Sequence, residues 1–170
     1  MKSNFKTLLH AQSLSKFYNQ PRLYTICSSQ ARNLKYAEIV IGVRSEYESG
    51  DTKWFGLASE YFKELSTGKI PNRQTKAFLQ ESAFSVPSLS GKPIIMIANA
   101  TGIAPFRAFL QHKEELGKSS NFDKMTLVFG CRKREEDYIF ASELEDMVAK
   151  GTLTALFEAF SRDEVILKEF

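Results

Sequence analysis

Residues 92–111 read KPIIMIANATGIAPFRAFLQ, and this stretch decides the fold. Ile94–Ala98 is a continuous apolar run between Pro93 and a polar turn, the pattern of a strand buried on both faces. Asn99–Gly102 predicts a tight turn. Pro105 fits the first turn of a following helix, where its missing N–H costs nothing. Phe106, Phe109 and Leu110 make an apolar stripe, and Gly117 ends the helix. Working outward toward the C-terminus, Met125–Phe129 is a second apolar strand. Tyr138–Ala149 predicts a second helix closed by Gly151, and Leu153–Phe160 a third strand. This β-α-β-α-β order implies parallel strands joined by right-handed crossovers.

Working toward the N-terminus, turn formers cluster over Ser88–Pro93 and mark a boundary between two lobes, 1–90 and 91–170. The first lobe reads as β-rich. Arg22–Cys27 follows the Pro21 break as a strand, and Ala37–Val43 is rich in β-branched residues and predicts another. A polar loop over Arg44–Lys53 carries Gly50-Asp51 as turn chemistry. A short helix opens at Gly56–Ser59, runs to Leu65 and stops near Gly68. Ala83–Val86 predicts a last short strand.

Composition narrows the function classes. The 170 residues are 43% apolar and 25% charged, enough for one globular core. Lys and Arg number 23 against 20 acidic residues, a net charge of +3, too balanced for a protein that coats nucleic acid. Fourteen Phe, six Tyr and one Trp exclude a disordered chain. The two cysteines, Cys27 and Cys131, make neither a disulfide framework nor a zinc site by themselves, and their simplest reading is as reduced thiols in a cytoplasmic setting. No apolar run approaches the roughly 20 residues of a membrane span. The stretch after Met1 is too short in apolar residues for a signal peptide.

In a parallel sheet of this kind, ligands sit beyond the carboxyl ends of the strands. Three segments occupy those ends. Asn99–Gly102 leads into a helix whose free N–H groups and dipole attract phosphate, with Thr101 adding a hydroxyl and Gly102 a close backbone approach. On spacing alone it fits an ordinary strand-to-helix turn equally well. Cys131-Arg132-Lys133-Arg134 places basic residues after the second strand. Glu135, Glu136 and Asp137 follow, so alone it reads as a solvated loop. Ser161-Arg162, past the third strand, suits a phosphate monoester. Cations in place of an acidic group at these ends favour the 2′-phosphate of NADP over the ribose hydroxyl of NAD. In the first lobe, Arg22 and Tyr24 share one strand face, with Thr25 on the other: a cation for a pyrophosphate and an aromatic plane for a flat heterocycle. An ordinary strand with an exposed Arg reads the same way.

In order along the chain, these segments resemble the ferredoxin–NADP reductase superfamily, and within it the diflavin branch of NADPH–cytochrome P450 reductase and the sulfite reductase flavoprotein. PRLYTICSS (21–29) resembles the Arg-x-Tyr-(Ser/Thr)-x-x-Ser-Ser flavin motif, and GLASEYF (56–62) the segment at the FAD pyrophosphate. KPIIMIANATGIAPFRAFLQ resembles the nucleotide segment, and LVFGCRKREEDYIF (127–140) and GTLTALFEAFSRD (151–163) the next two strand-end motifs. The implied fold is α/β plus β: a partial flavin-binding β-barrel lobe, then a partial doubly wound parallel sheet for NADP. The implied cofactors are FAD and NADPH. Arg22, Leu23, Tyr24 and Thr25 would line the flavin, with Arg22 on its pyrophosphate, Tyr24 stacked on the ring and Thr25 near N5 as the catalytic position. Gly56, Leu57, Ala58 and Ser59 would present N–H groups to the FAD pyrophosphate. Thr101, Gly102 and Arg132 would take the NADPH pyrophosphate, and Ser161 and Arg162 the 2′-phosphate. Lys168 and Phe170 stand near the family's Lys-x-aromatic pair.

The resemblance also brings departures. Where the family has Gly-x-Gly before Thr101, Ala98-Asn99-Ala100 stands here. The family's earlier barrel strands, its FMN domain and its later Cys-Gly-Asp strand end have no counterpart in the 170 residues. Two functional readings follow. One is an NADPH-dependent flavoprotein reductase module, passing hydride to FAD and electrons to an FMN domain or haem acceptor protein. The other is a truncated remnant acting as a nucleotide-binding or structural subunit. In either case the open sheet edge is expected to be covered by the chain itself, by a partner or by a second copy.

Overall fold

The computed structural model describes residues 21–43, 56–70, 74–84, 92–117 and 124–163, and the backbone alone of 47–49 and 52–54. Its centre is a parallel sheet of three strands, β3 (Ile94–Asn99), β4 (Met125–Cys131) and β5 (Ala155–Phe160), in the order β3-β4-β5. The register pairs Ile94 with Met125 and Cys131 with Phe160, so the strand ends line up at one edge. Both crossovers step the same way across the sheet. Right-handed connections therefore put both crossover helices on one face. These are α2 (Ala104–Leu116) and α4 (Ala141–Ala149). Alternation along the strands sends Met96, Ala98, Met125, Leu127, Phe129 and Cys131 into that face, where they meet Ile103, Leu110, Leu144, Met147 and Leu153.

Among the described residues the opposite face is open. Ile95 and Ile97 are 72% and 73% exposed, and Phe157 is 60% exposed. The expectation that Ile94–Ala98 is buried on both faces is therefore corrected: among the described residues only the helix-bearing side is covered. A continuous apolar run marks a strand but does not tell how many of its faces are packed.

Helix α2 begins as its residues dictate, with Pro105 in the first turn, and closes at Gly117, whose N–H reaches the carbonyls of Lys113 and Glu114. Its buried stripe differs from the expected one. Phe106 and Phe109 are half-buried against Phe84, while Arg107 and Gln111 are buried beside Leu110.

The helix expected over Tyr138–Ala149 begins three residues later, at Ala141, and a separate short helix precedes it. A short turn of helix, α3 (Arg134–Asp137), is followed by α4, and between them Phe140 takes a left-handed φ of 63°. Tyr138 draws the chain out of helix: its ring packs on Phe129 and Phe160 at 5.4 and 5.6 Å, and its hydroxyl donates to Glu158. Burial and then the Glu158 carboxylate raise the Tyr138 phenol well above its ordinary value, so it stays a donor. The third strand starts at Ala155, not Leu153. Leu153 is buried and its N–H is held by the Met147 carbonyl, closing the turn after α4.

The first lobe shows the larger correction. No barrel is formed among the described residues. Arg22–Cys27 and Ala37–Val43 are not strands; they meet at one antiparallel bridge, Ile26 to Ile39. A strand exists through its ladder, and β-branched composition without flanking strands does not supply one. The expected loop over 44–53 contains a small hairpin, β1 (Tyr47–Ser49) with β2 (Thr52–Trp54), Ser49 facing Thr52. Helix α1 (Leu57–Thr67) matches its expectation, stopping at Gly68 with φ 78°. Ala83 and Phe84 are irregular, and residues 85–86 lie outside the described residues.

Candidate functional site at the carboxyl ends of the strands

The site is built where β3, β4 and β5 end together. After Asn99 the chain enters a 3-10 turn, Ala100–Ile103, that runs straight into α2. Ile103 is fully buried and anchors the turn from below, while Thr101 and Gly102 are exposed above it. A Cβ added to Gly102 would meet no atom within 4 Å, so this backbone faces open space. Thirteen residues of α2 stand behind it with their dipole pointing outward. The arrangement fits an anionic group.

The two alanines of this segment separate in role. Ala98 is 7% exposed and faces the core, so its methyl does not crowd the turn. Ala100 holds a φ of 47°, in the left-handed region. An L-residue there costs about 1–2 kcal/mol, partly offset by the entropy a glycine loses on folding. Ala100→Gly is expected to stabilise the chain by about 0.5–1 kcal/mol, read as a rise in thermal midpoint. A fall in midpoint would contradict the strain assignment.

At the next strand ends, two backbone bonds bring the basic motifs together. Ser161 N–H donates to the Cys131 carbonyl at 3.0 Å, and Arg162 N–H to the Arg132 carbonyl at 2.8 Å. Arg132, Ser161 and Arg162 therefore lie side by side and exposed. Arg132 donates from Nε and Nη2 to the two oxygens of Asp137, at 3.1 and 2.8 Å. That bond, ahead of the Arg132 and Arg162 charges, holds the Asp137 carboxyl below its usual range. The reading of Glu135, Glu136 and Asp137 as balancing charge is thus met at one position by a bidentate pair. Lys133 pairs with Glu136 at 2.5 Å. Arg134 turns away to Glu158 and lies over the Phe160 ring at 4.3 Å. Neighbouring Cys131 is buried, and its thiol is pushed up first by desolvation and then by Asp137.

The first-lobe residues approach the same turn. Ser59 Oγ donates to the Gly42 carbonyl at 3.2 Å, and a Cβ on Gly42 would lie 3.7 Å from Thr101 Cγ2. The start of α1 and the 3-10 turn thus both abut Gly42. Gly56 caps α1 without a side-chain bond, Ala58 and Ser59 are half-buried, and Leu57 is exposed. Tyr24 is half-buried with its ring edge-on to Phe62 of α1 at 5.6 Å. Arg22, Leu23 and Thr25 are exposed in irregular chain, so the alternation that set Arg22 and Tyr24 on one strand face does not apply. Lys168 and Phe170 lie outside the described residues.

Sequence reasoning missed a buried polar cluster under this site. Arg107 and Gln111 on α2 bind the Cys27–Ser29 backbone and the Glu143 carboxylate of α4. The available signal was two polar residues flanking Leu110 on one helix face.

Comparisons with known proteins agree with this geometry. Residues 96–165 match the family described as oxidoreductase NAD-binding domain. The chain is 40% identical over 148 residues to NADPH–cytochrome P450 reductase of Drosophila melanogaster, covering 85% of this chain and 21% of that protein. It is 36% identical over 146 residues to the sulfite reductase (NADPH) flavoprotein alpha-component of Vibrio vulnificus, covering 85% and 22%. It is 31% identical over 145 residues to NADPH-dependent diflavin oxidoreductase 1 of Mus musculus, covering 85% and 23%. Ferredoxin-NADP+ reductase from Plasmodium falciparum shares the fold, with a TM-score of 0.62 at 22% identity over 84% of this chain and 52% of that one. The chain spans 21% to 23% of the length of these three curated relatives. The resemblance read from the ordered motifs is borne out.

Proposed function

We propose that this chain, related over 85% of its length to NADPH-dependent diflavin reductases, is the NADP-binding part of a flavoprotein reductase with a flavin-binding segment attached. In this reading residues 1–90 form the FAD side and 91–170 the NADP side. The observation that carries it is the pair of backbone bonds setting Arg132, Ser161 and Arg162 side by side at the ends of β4 and β5. The Arg162 guanidinium and the Ser161 hydroxyl suit a phosphate monoester, which NADP has at its 2′ position and NAD lacks, with Arg132 beside them for the pyrophosphate.

When bound, NADPH supplies a hydride at nicotinamide C4 and FAD accepts it at N5. This chain's residues bind and align. Ser161 and Arg162 hold the 2′-phosphate. Thr101, the Gly102 backbone and Arg132 hold the pyrophosphate, with Asp137 fixing the Arg132 guanidinium. On the flavin side, Arg22 and the N–H groups of Gly56–Ser59 would hold a second pyrophosphate, Tyr24 would cover the ring with Leu23 beside it, and Thr25 would donate near N5. Lys168 and Phe170 support the 2′-phosphate side. An FMN domain or haem acceptor protein would take the electrons onward. Among the described residues no helix is long and apolar enough to cross a membrane. Both cysteines are buried free thiols, which supports a cytoplasmic setting.

The flavin residues of the described chain make one wall: Tyr24 is half-buried, and Arg22, Leu23 and Thr25 are exposed. Cofactor pockets bury most of their ligand, and binding must offset several kcal/mol of lost freedom. FAD is therefore expected to bind this chain at micromolar affinity or weaker, with little NADPH turnover. The visible spectrum of the purified chain, titrated with FAD and then NADPH, checks this. Stoichiometric flavin on purification with rapid NADPH-dependent bleaching would contradict it. The open apolar face bearing Ile95, Ile97 and Phe157 favours a second reading, a nucleotide-binding subunit docked in a larger assembly, because exposed apolar patches mark interaction surfaces.

A further inference from the structure

We propose that Arg107 is a positioning residue: it ties the segment that carries Arg22–Thr25 to the helix that directly follows Thr101–Gly102, so that both cofactor motifs move as one body. The inference rests on the functional reading above and adds a residue to which neither the motifs nor the comparisons assign a role.

The geometry is specific. Arg107 is 9% exposed and lies on α2, the helix that the 3-10 turn leads into. Its Nη1 donates to the Cys27 carbonyl at 3.0 Å and to the Glu38 carboxylate at 2.6 Å. Its Nε donates to Glu143 of α4 at 2.7 Å, and the Phe140 ring lies 4.4 Å from the guanidinium carbon. The Cys27 N–H is in turn held by the Glu38 carbonyl at 2.8 Å. Cys27, two residues beyond Thr25, is thus held at both its N–H and its carbonyl.

One turn along the same helix, Gln111 repeats the device. Its Oε1 accepts the Ser29 N–H at 3.0 Å and its Nε2 donates to Glu143 at 2.8 Å. Arg32 extends the cluster to Glu115 at 2.9 Å and Glu143 at 3.5 Å. Helix α2 therefore holds the 27–38 segment through hydrogen bonds with fixed directions, which set register in a way that apolar contact does not. Only a planar fork reaches a carbonyl and two carboxylates at once; a lysine ammonium is a point charge on a flexible stem and does not. Misplacing two reacting groups by about 1 Å costs on the order of a hundredfold in rate, so a latch at this point acts on transfer between the cofactors more than on the binding of either.

The test compares the full chain with Arg107→Lys, which keeps the charge beside Glu143, and with Arg107→Met, which keeps the volume. Two readouts are taken. The first is labelling of Cys27 by a thiol reagent, with Cys131 as internal reference; both are buried in the wild-type chain, at 2% and 5% exposure. The second is the single-turnover rate of flavin bleaching at saturating FAD and NADPH, set beside the calorimetric Kd for 2′,5′-ADP. The proposal expects Cys27, and not Cys131, to label at least about tenfold faster in the variants. It expects bleaching to slow by about tenfold or more while the Kd for 2′,5′-ADP stays within about threefold. Cys27 protected as in the wild type overturns the latch. Cys27 released with an unchanged saturated rate overturns the positioning role. A wild-type chain that binds neither FAD nor 2′,5′-ADP overturns the functional reading and the positioning role with it, and Cys27 labelling then reports on the latch alone.

Discussion

Replacing Arg162 with alanine is expected to weaken NADP(H) binding more than tenfold and to leave NAD(H) nearly unchanged. The Arg162 N–H is fixed to the Arg132 carbonyl, so its side chain leaves the backbone beside Ser161 and Arg132 at the exposed strand ends. A charge-assisted bond to a phosphate contributes about 1.5–3 kcal/mol, which sets the tenfold floor. Only the 2′-phosphate distinguishes the two dinucleotides, so the loss should fall on one of them. Calorimetric titration of the variant with both decides. Equal losses would show that Arg162 faces a part common to both dinucleotides, and no loss for either that it faces neither.

Phe129→Ala carries the largest expected cost to the fold, about 3–5 kcal/mol. Phe129 is fully buried in the central strand β4, with the Tyr138 ring tilted against it at 5.4 Å. Truncation leaves a void that neither the sheet nor α4 can close without moving. Domain stabilities are about 5–15 kcal/mol, so such a loss leaves the variant marginal at best. Denaturant titration gives the number. A cost below about 1 kcal/mol would mean that the β4 core is loosely packed and that the alignment of Arg132 with Ser161 does not depend on it.

The parallel sheet was legible because its strands are short apolar runs between turn formers, and the helix between β3 and β4 because Pro105 and Gly117 punctuate it. What escaped was set by partners distant in sequence. Tyr138 sits in a helical pattern, yet its contacts with Phe129, Phe160 and Glu158 break the helix there. Ile95 and Ile97 are apolar whether or not anything covers them. Arg22–Cys27 and Ala37–Val43 carry strand composition, but a strand needs ladder partners, and one bridge is all that joins them. At the site, Thr101, Gly102, Arg132, Ser161 and Arg162 were legible as motifs because each follows a strand directly. The Asp137 clamp on Arg132 was read only as balancing charge, and the Arg107 cluster was unread. Buried hydrogen-bond partners on other elements give no periodic signal along the chain.

The central claim is that the basic strand ends select a dinucleotide bearing a 2′-phosphate. Its most direct test is calorimetric titration of the unmodified chain with NADPH and with NADH in the same buffer. One charge-assisted phosphate contact predicts NADPH to bind at least about tenfold more tightly than NADH. Equal affinities, or tighter binding of NADH, would contradict the claim.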